Sequence, residues 1–360
     1  MIAIRMRPLR FSIASFALLA ATGCGDSSGP GDAENLGVLL VPPSSGALED
    51  LVWTRDGSEV VYVSTVVHGT GDTELNAVSV ATKAVRTLDA SPSIFALARA
   101  AAGERIYFGA NLRAASDDSN VQISRVQPTS GVVEILATRS CCVENLLISD
   151  DERFLVIDRG LYDLQTATRT DLPPGRAVGF SPDGTQLLYE VDQVSVSTIL
   201  ATLISTADGS SQLLHSSGYF IRAHRWQGNS PQLLQMDFDF TGGISYTVRV
   251  SEIDGVTGVT REIAQFPETP GTIGLRDARW SPDGQALAIW VRQNWKDKKT
   301  DRTNLYVVRP PGAPTLVASA TPGLGGALLG PPVFSPTGNS IAYFYYHGED
   351  RRSLYVKSGI

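Results

Sequence analysis

The stretch Trp280-Ser281-Pro282-Asp283-Gly284-Gln285-Ala286-Leu287-Ala288-Ile289-Trp290 reads as the end of one strand, a tight turn and a second strand. The first strand ends on an aromatic. Pro282 presets φ, Asp283 can hydrogen-bond the local backbone, and Gly284 can take the positive φ that hairpin turns need. The alternating apolar run that follows fits a half-buried strand. The phrase returns at Phe180-Ser181-Pro182-Asp183-Gly184 and at Phe334-Ser335-Pro336-Thr337-Gly338.

Looser copies fill the intervals: Trp53-Thr54-Arg55-Asp56-Gly57, Arg99-Ala100-Ala101-Ala102-Gly103, Ile148-Ser149-Asp150-Asp151-Glu152 and Trp226-Gln227-Gly228-Asn229-Ser230, each before an apolar run. The copies begin at 53, 99, 148, 180, 226, 280 and 334, in steps of 46, 49, 32, 46, 54 and 54 residues. Third strands follow as Leu305-Tyr306-Val307-Val308 and Leu161-Tyr162-Asp163-Leu164, and fourth strands as Val133-Glu134-Ile135-Leu136 and Thr315-Leu316-Val317. Several short strands per unit at such a period predict an all-β chain, a seven-bladed β-propeller. The short 32-residue step keeps six blades open as the alternative.

The two ends of the fold explain each other. The last copy supplies three strands and stops at Ile360, while Leu36-Gly37-Val38-Leu39-Leu40-Val41 has no earlier partner. Residues 335–360 and 36–52 together make 43 residues, one repeat. The N-terminal strand is therefore expected to complete the last blade, beside Leu354-Tyr355-Val356, and to close the ring.

The repeat resembles that of the TolB-like (WD-type) β-propellers of bacterial envelope proteins, which carry this Ser-Pro-Asp-Gly phrase. The resemblance covers residues 36–360. It implies the propeller fold but no single activity, because the repeat serves scaffolds, peptidase accessory domains and some lyases.

Residues 1–23 read as a leader. Arg5, Arg7 and Arg10 make a basic start, and Phe11 to Ala21 an apolar run too short to span a bilayer comfortably. Ala21-Thr22-Gly23-Cys24 resembles a bacterial lipobox, with Ala where the pattern usually has Leu. That resemblance implies cleavage before Cys24 and acylation of Cys24, hence a lipid-anchored protein of the cell envelope. An ordinary secretory signal is the alternative. Residues 24–35 are small and polar, a flexible tether. Losing the leader removes three arginines and no acid, so the formal charge moves from −7 to −10. Such a chain is a poor partner for nucleic acid. The basic run Lys296, Lys298, Lys299 and Arg302, broken by Asp297 and Asp301, reads as a solvated loop.

Candidate chemistry is sparse. His68, His215, His224 and His347 are dispersed, with no Cys/His cluster at metal-ligand spacing, and no cofactor is expected. No Gly-x-Ser-x-Gly elbow is present. Loops entering the inner strands of a propeller gather on one face, which would bring together Asp50, Arg176, Arg222, His224, Arg276 and Asp277. That mixed-charge channel mouth is either a ligand site or an ordinary solvated rim. Asp237 and Asp239 alternate with apolar residues, as an outward strand face would. Adjacent Cys141 and Cys142 are either a strained vicinal disulfide in an oxidising compartment or a pair of thiols. The expected function is binding: a scaffold for an envelope protein or an extracytoplasmic ligand, non-catalytic. A propeller-type lyase or hydrolase with a polar site at the channel mouth is the alternative, and a purely structural envelope component a third reading.

Overall fold

The computed structural model describes residues 36–44, 48–65, 72–112, 120–140, 145–193, 198–217, 223–228, 230–239, 247–266, 274–293, 302–320, 328–347 and 351–360. The leader, the tether with Cys24, His68, Cys141, Cys142, Arg222 and the basic residues 296–299 lie outside them. Every regular element among the described residues is a strand.

The strands form seven four-stranded antiparallel sheets. Six follow chain order from inner to outer strand: blade one spans 48–92, blade two 94–140, blade three 146–171, blade four 176–217, blade five 224–266 and blade six 274–320. Blade seven takes Leu328–Phe334, Ser340–Tyr346 and Arg352–Ser358 from the C-terminus and Val38–Ser44 from the N-terminus. Its closing register pairs Val38 with Val356, Leu39 with Tyr355 and Val41 with Leu354. First strands of neighbouring blades touch one another, so they surround the channel. The chain is a seven-bladed β-propeller closed by its N-terminal strand.

The apolar alternation has a clear destination. Each of seven hydrophobic clusters lies between two adjacent blades. The seam of blades six and seven stacks Trp290 edge-on to Tyr343. The seam of blades seven and one buries Leu40, Phe344 and Leu354 against Leu48, Trp53 and Val60. Polar ties cross that closing seam as well: Trp53 Nε1 donates to the Val333 carbonyl at 2.8 Å and Arg352 to the Leu48 carbonyl at 2.6 Å.

The turn phrase works through its first hydroxyl. In blade six, Ser281 Oγ accepts the Ala286 N–H at 2.9 Å and donates to Asp283, whose Oδ1 accepts the Gln285 N–H at 3.0 Å. Ser181 does the same with Gln186 and Asp183, Ser149 with Phe154 and Asp151, and Thr54 with Glu59 and Asp56. These hydroxyls are buried, Ser149 and Ser181 almost completely. The operative pattern is thus a Ser or Thr two residues before an Asp, not Pro-Asp-Gly, so the third copy folds alike without proline or glycine. Glu152 there takes the left-handed φ of 58° that glycine takes at 57, 184, 284 and 338. Blade three is short because its second and third strands, Phe154–Ile157 and Gly160–Asp163, are joined by two residues, Asp158 and Arg159. That accounts for the 32-residue step.

Copies two and five use other devices. Ala100 replaces the hydroxyl in copy two, and Arg99 reaches the carbonyls of Ala100, Ala101 and Gly103 instead. Copy five turns directly from Gln227 to Ser230.

Two outcomes test this account. Ser281→Ala strands a buried N–H and should cost about 1–3 kcal/mol in urea unfolding, while Pro282→Ala, at an exposed position, should cost much less. Deleting residues 36–42 should unpair Arg352–Ser358 and lower Tm sharply, since Leu40 alone is worth ~2–4 kcal/mol; deleting 25–34 should leave Tm unchanged.

Candidate functional site

The channel mouth begins where the inner strands start. Asp50 sits in a bulge of Leu48–Trp53, the inner strand of blade one. Its Oδ1 accepts the Leu51 N–H at 2.9 Å and its Oδ2 the Leu97 N–H of blade two at 2.6 Å. Leu97 follows Ala96, whose positive φ of 52° lies at a bulge in the partner strand. Asp50 keeps some exposed surface but is surrounded by protein, and burial raises its carboxyl above the usual range. The two N–H groups and the charge of Arg279 pull in the opposite direction.

His224 opens the inner strand of blade five, His224–Gln227, and crosses the seam to blade four. A Cβ at Gly179 would collide with the His224 Nε2 and Cε1 atoms, so glycine there makes room for the ring. The imidazole also meets Trp226 edge-on at 6.5 Å between centroids. Burial, then the charge of Arg279, pushes the imidazole down to about 4. It is therefore neutral at pH 7.

Arg279 acts electrostatically on both Asp50 and His224 and is itself exposed. The sequence reading passed over it in favour of Arg276 and Asp277, which lie on the same inner strand at the bulge between Leu275 and Ala278. Strand alternation alone would have offered 277 and 279 together as candidates. Arg176 stands at the start of the inner strand of blade four and pairs with Glu190 at 2.9 Å. Arg222 lies outside the described residues. Asp50, His224 and Arg279 are thus the three groups that the described structure couples at the channel.

Several described polar groups at or near the mouth span blades. Besides Asp50 and His224, Asn145 donates across the seam of blades three and four to the Ala177 carbonyl at 2.9 Å. Lower in the ring, Arg225 holds Glu252 through two bonds of 2.6 and 2.9 Å, donates to the Gly284 carbonyl of blade six and stacks over Trp280 at 4.4 Å. Among the described residues, no three His, Cys, Asp or Glu side chains converge as a metal site.

The His224 environment has a pH signature. The unfolded imidazole takes up a proton as pH falls below about 6.5, whereas the folded one does so only near 4. Stability should therefore decline between those values, by ~3 kcal/mol at most, and this contribution should level off below 4. His224→Gln should remove that slope. In NMR the His224 ring should not titrate between pH 7 and 5, and a midpoint near 6.5 would contradict its burial.

No known family profile and no curated protein matches the chain. Solved structures do. An oligogalacturonate lyase in complex with manganese superposes with a TM-score of 0.65 at 15% identity, over 91% of this chain and 95% of that one. The oligogalacturonate lyase of Vibrio parahaemolyticus gives 0.64 at 11%, with the same coverages. TolB of Acinetobacter baumannii gives 0.45 at 14%, over 88% of this chain and 66% of that one. At these identities, the two lyase structures establish the shared propeller architecture and nothing of its chemistry.

Proposed function

We propose that the protein is an exported propeller, lipid-anchored through Cys24 in the bacterial cell envelope, that acts as a non-catalytic binding scaffold for an envelope protein or an extracytoplasmic ligand. The observation that carries binding over catalysis is Asp50. A carboxylate that bridges two blades by accepting an N–H on each oxygen has a bracing role in the fold and is a weaker base for it. Both oxygens of Asp50 are taken by N–H groups of two blades. The neutral, packed His224 supports the same reading, because it braces a seam. Arg279 is an exposed cation there and suits an anionic group of a ligand.

The second reading is a propeller-type lyase, and the likeness to the manganese-bound oligogalacturonate lyase gives it a definite assay. Purified protein with oligogalacturonate and manganese should show no growth of the ultraviolet absorbance of a newly formed double bond. A pull-down from detergent-solubilised envelope should recover a stoichiometric partner, lost when Arg279→Glu reverses the mouth charge. Turnover in the first assay would replace the scaffold with the enzyme.

The anchor has its own test. Intact mass should show acyl chains on Cys24, and Cys24→Ala should lose them and leave the membrane fraction for the soluble one, unless the uncleaved leader retains the chain. A mature chain without acyl mass refutes the anchor.

A further inference from the structure

In every antiparallel blade the turn from first to second strand and the turn from third to fourth lie at the same end. Hydrogen bonds join them: Val80 N–H to the Ser58 carbonyl at 3.0 Å, Thr206 Oγ1 to the Gly184 carbonyl at 2.9 Å, Gly255 N–H to the Pro231 carbonyl at 2.8 Å. First-to-second turns of adjacent blades also meet, as Gly57 does with Pro336 and Gly338 with Asp283. The propeller therefore has a turn face, opposite the channel mouth.

The exposed large aliphatics among the described residues, apart from Ile135 within the outer strand of blade two, gather toward the rim of that face. Val38, Val85 and Val132 are the first residues of the outer strands of blades seven, one and two. Leu316 is the second residue of the outer strand of blade six, and Leu213 the third in blade four. In blade five, Val256 and Val259 occupy the turn just before the outer strand Thr260–Phe266. Val132 is 64% exposed and Val259 67%, more than strand packing requires. Single exposed aliphatics are ordinary. Recurrence close to the start of the outer strand in six of seven blades is not. Blade three differs, with the polar outer strand Thr168–Asp171 and an Arg169–Asp171 ion pair.

The occupant follows from where the chain leaves the ring. Val38 belongs to this rim and lies 14 residue steps from Cys24. Extended at ~3.3–3.6 Å per residue, they reach about 50 Å, and as a flexible coil about 20 Å. A lipid on Cys24 thus holds the rim within about one molecular diameter of the bilayer. A protein partner would be met by one contiguous patch. Apolar points spread around a circle instead match a surface that is flat and uniform. We propose that the rim of the turn face rests on the lipid surface that carries the Cys24 anchor, leaving the channel mouth turned away from the membrane toward its ligand. This rests on the lipid-anchor reading above. The mature charge of −10 favours zwitterionic lipid over anionic lipid.

The test compares the acylated protein in phosphatidylcholine–phosphatidylethanolamine vesicles with the soluble, leaderless Cys24→Ala chain by hydrogen exchange. Amides of 129–133 and 256–260 should exchange several-fold more slowly on vesicles, and those of 158–160, at the opposite end of blade three, at unchanged rates. The triple variant V132E/V259E/L316E should keep its acyl mass and its Tm but lose the added protection. Acyl mass with no change in rim exchange overturns the rim proposal and leaves the anchor standing, whereas absence of acyl mass overturns both. Equal rim protection in the lipid-free chain, with a dimer mass by sedimentation, would assign the surface to a second copy instead.

Discussion

A four-stranded sheet with two apolar faces cannot bury both by itself, and the whole structure answers that constraint. Each blade covers one face with the blade before it and the other with the blade after it, which is why the seven clusters lie in the seams. An open row would leave two apolar faces in water, at roughly 25 cal/mol per Å². Closing the row into a ring removes them. The last seam joins the two ends of the chain, with Trp53 and Arg352 bonding across 280 and 304 residues of sequence, while the Tyr343 hydroxyl ties the Leu36 carbonyl into blade seven itself.

The turn phrase serves the same end at smaller scale. A hairpin between two buried strands must satisfy N–H groups where water is scarce. The buried Ser or Thr supplies an acceptor at its own position and passes its proton to an Asp that pins the next N–H. The hydroxyl bond is the foremost influence holding Asp183 and Asp283 below the usual carboxylate range, and the Ser58 N–H does this for Asp56. These turns then pack on each other around the channel. A glycine often stands at the contact, as Gly284 does against Arg225.

The same economy shapes the channel. Charged groups in a narrow ring of strands must be paired or satisfied, and Asp50 and His224 became braces between blades. Such a mouth is stiff and polar, with Arg279 exposed. A polar mouth on one face and an apolar rim on the other give the molecule two chemically distinct sides.

The chain by itself determined the architecture. Seven copies of a strand–turn–strand phrase, alternating apolar runs and a spare N-terminal strand leave a closed ring as the solution that buries both faces of every blade. The spacing also located the strands of each blade, since local hydrogen bonding and pleat period are written in neighbouring residues. Tertiary structure alone decided what those residues do for each other. Ser149 and Thr54 could not be ranked above Pro282 until the buried hydroxyl was seen to hold the turn. What Asp50 holds could not be read until Leu97, 47 residues away, was found on its second oxygen. Arg279 came to notice only through its electrostatic reach to Asp50 and His224, which belong to other blades. Bulges, seams and burial depend on what the adjacent blade brings, and no local pattern encodes a neighbour that arrives from elsewhere in the chain.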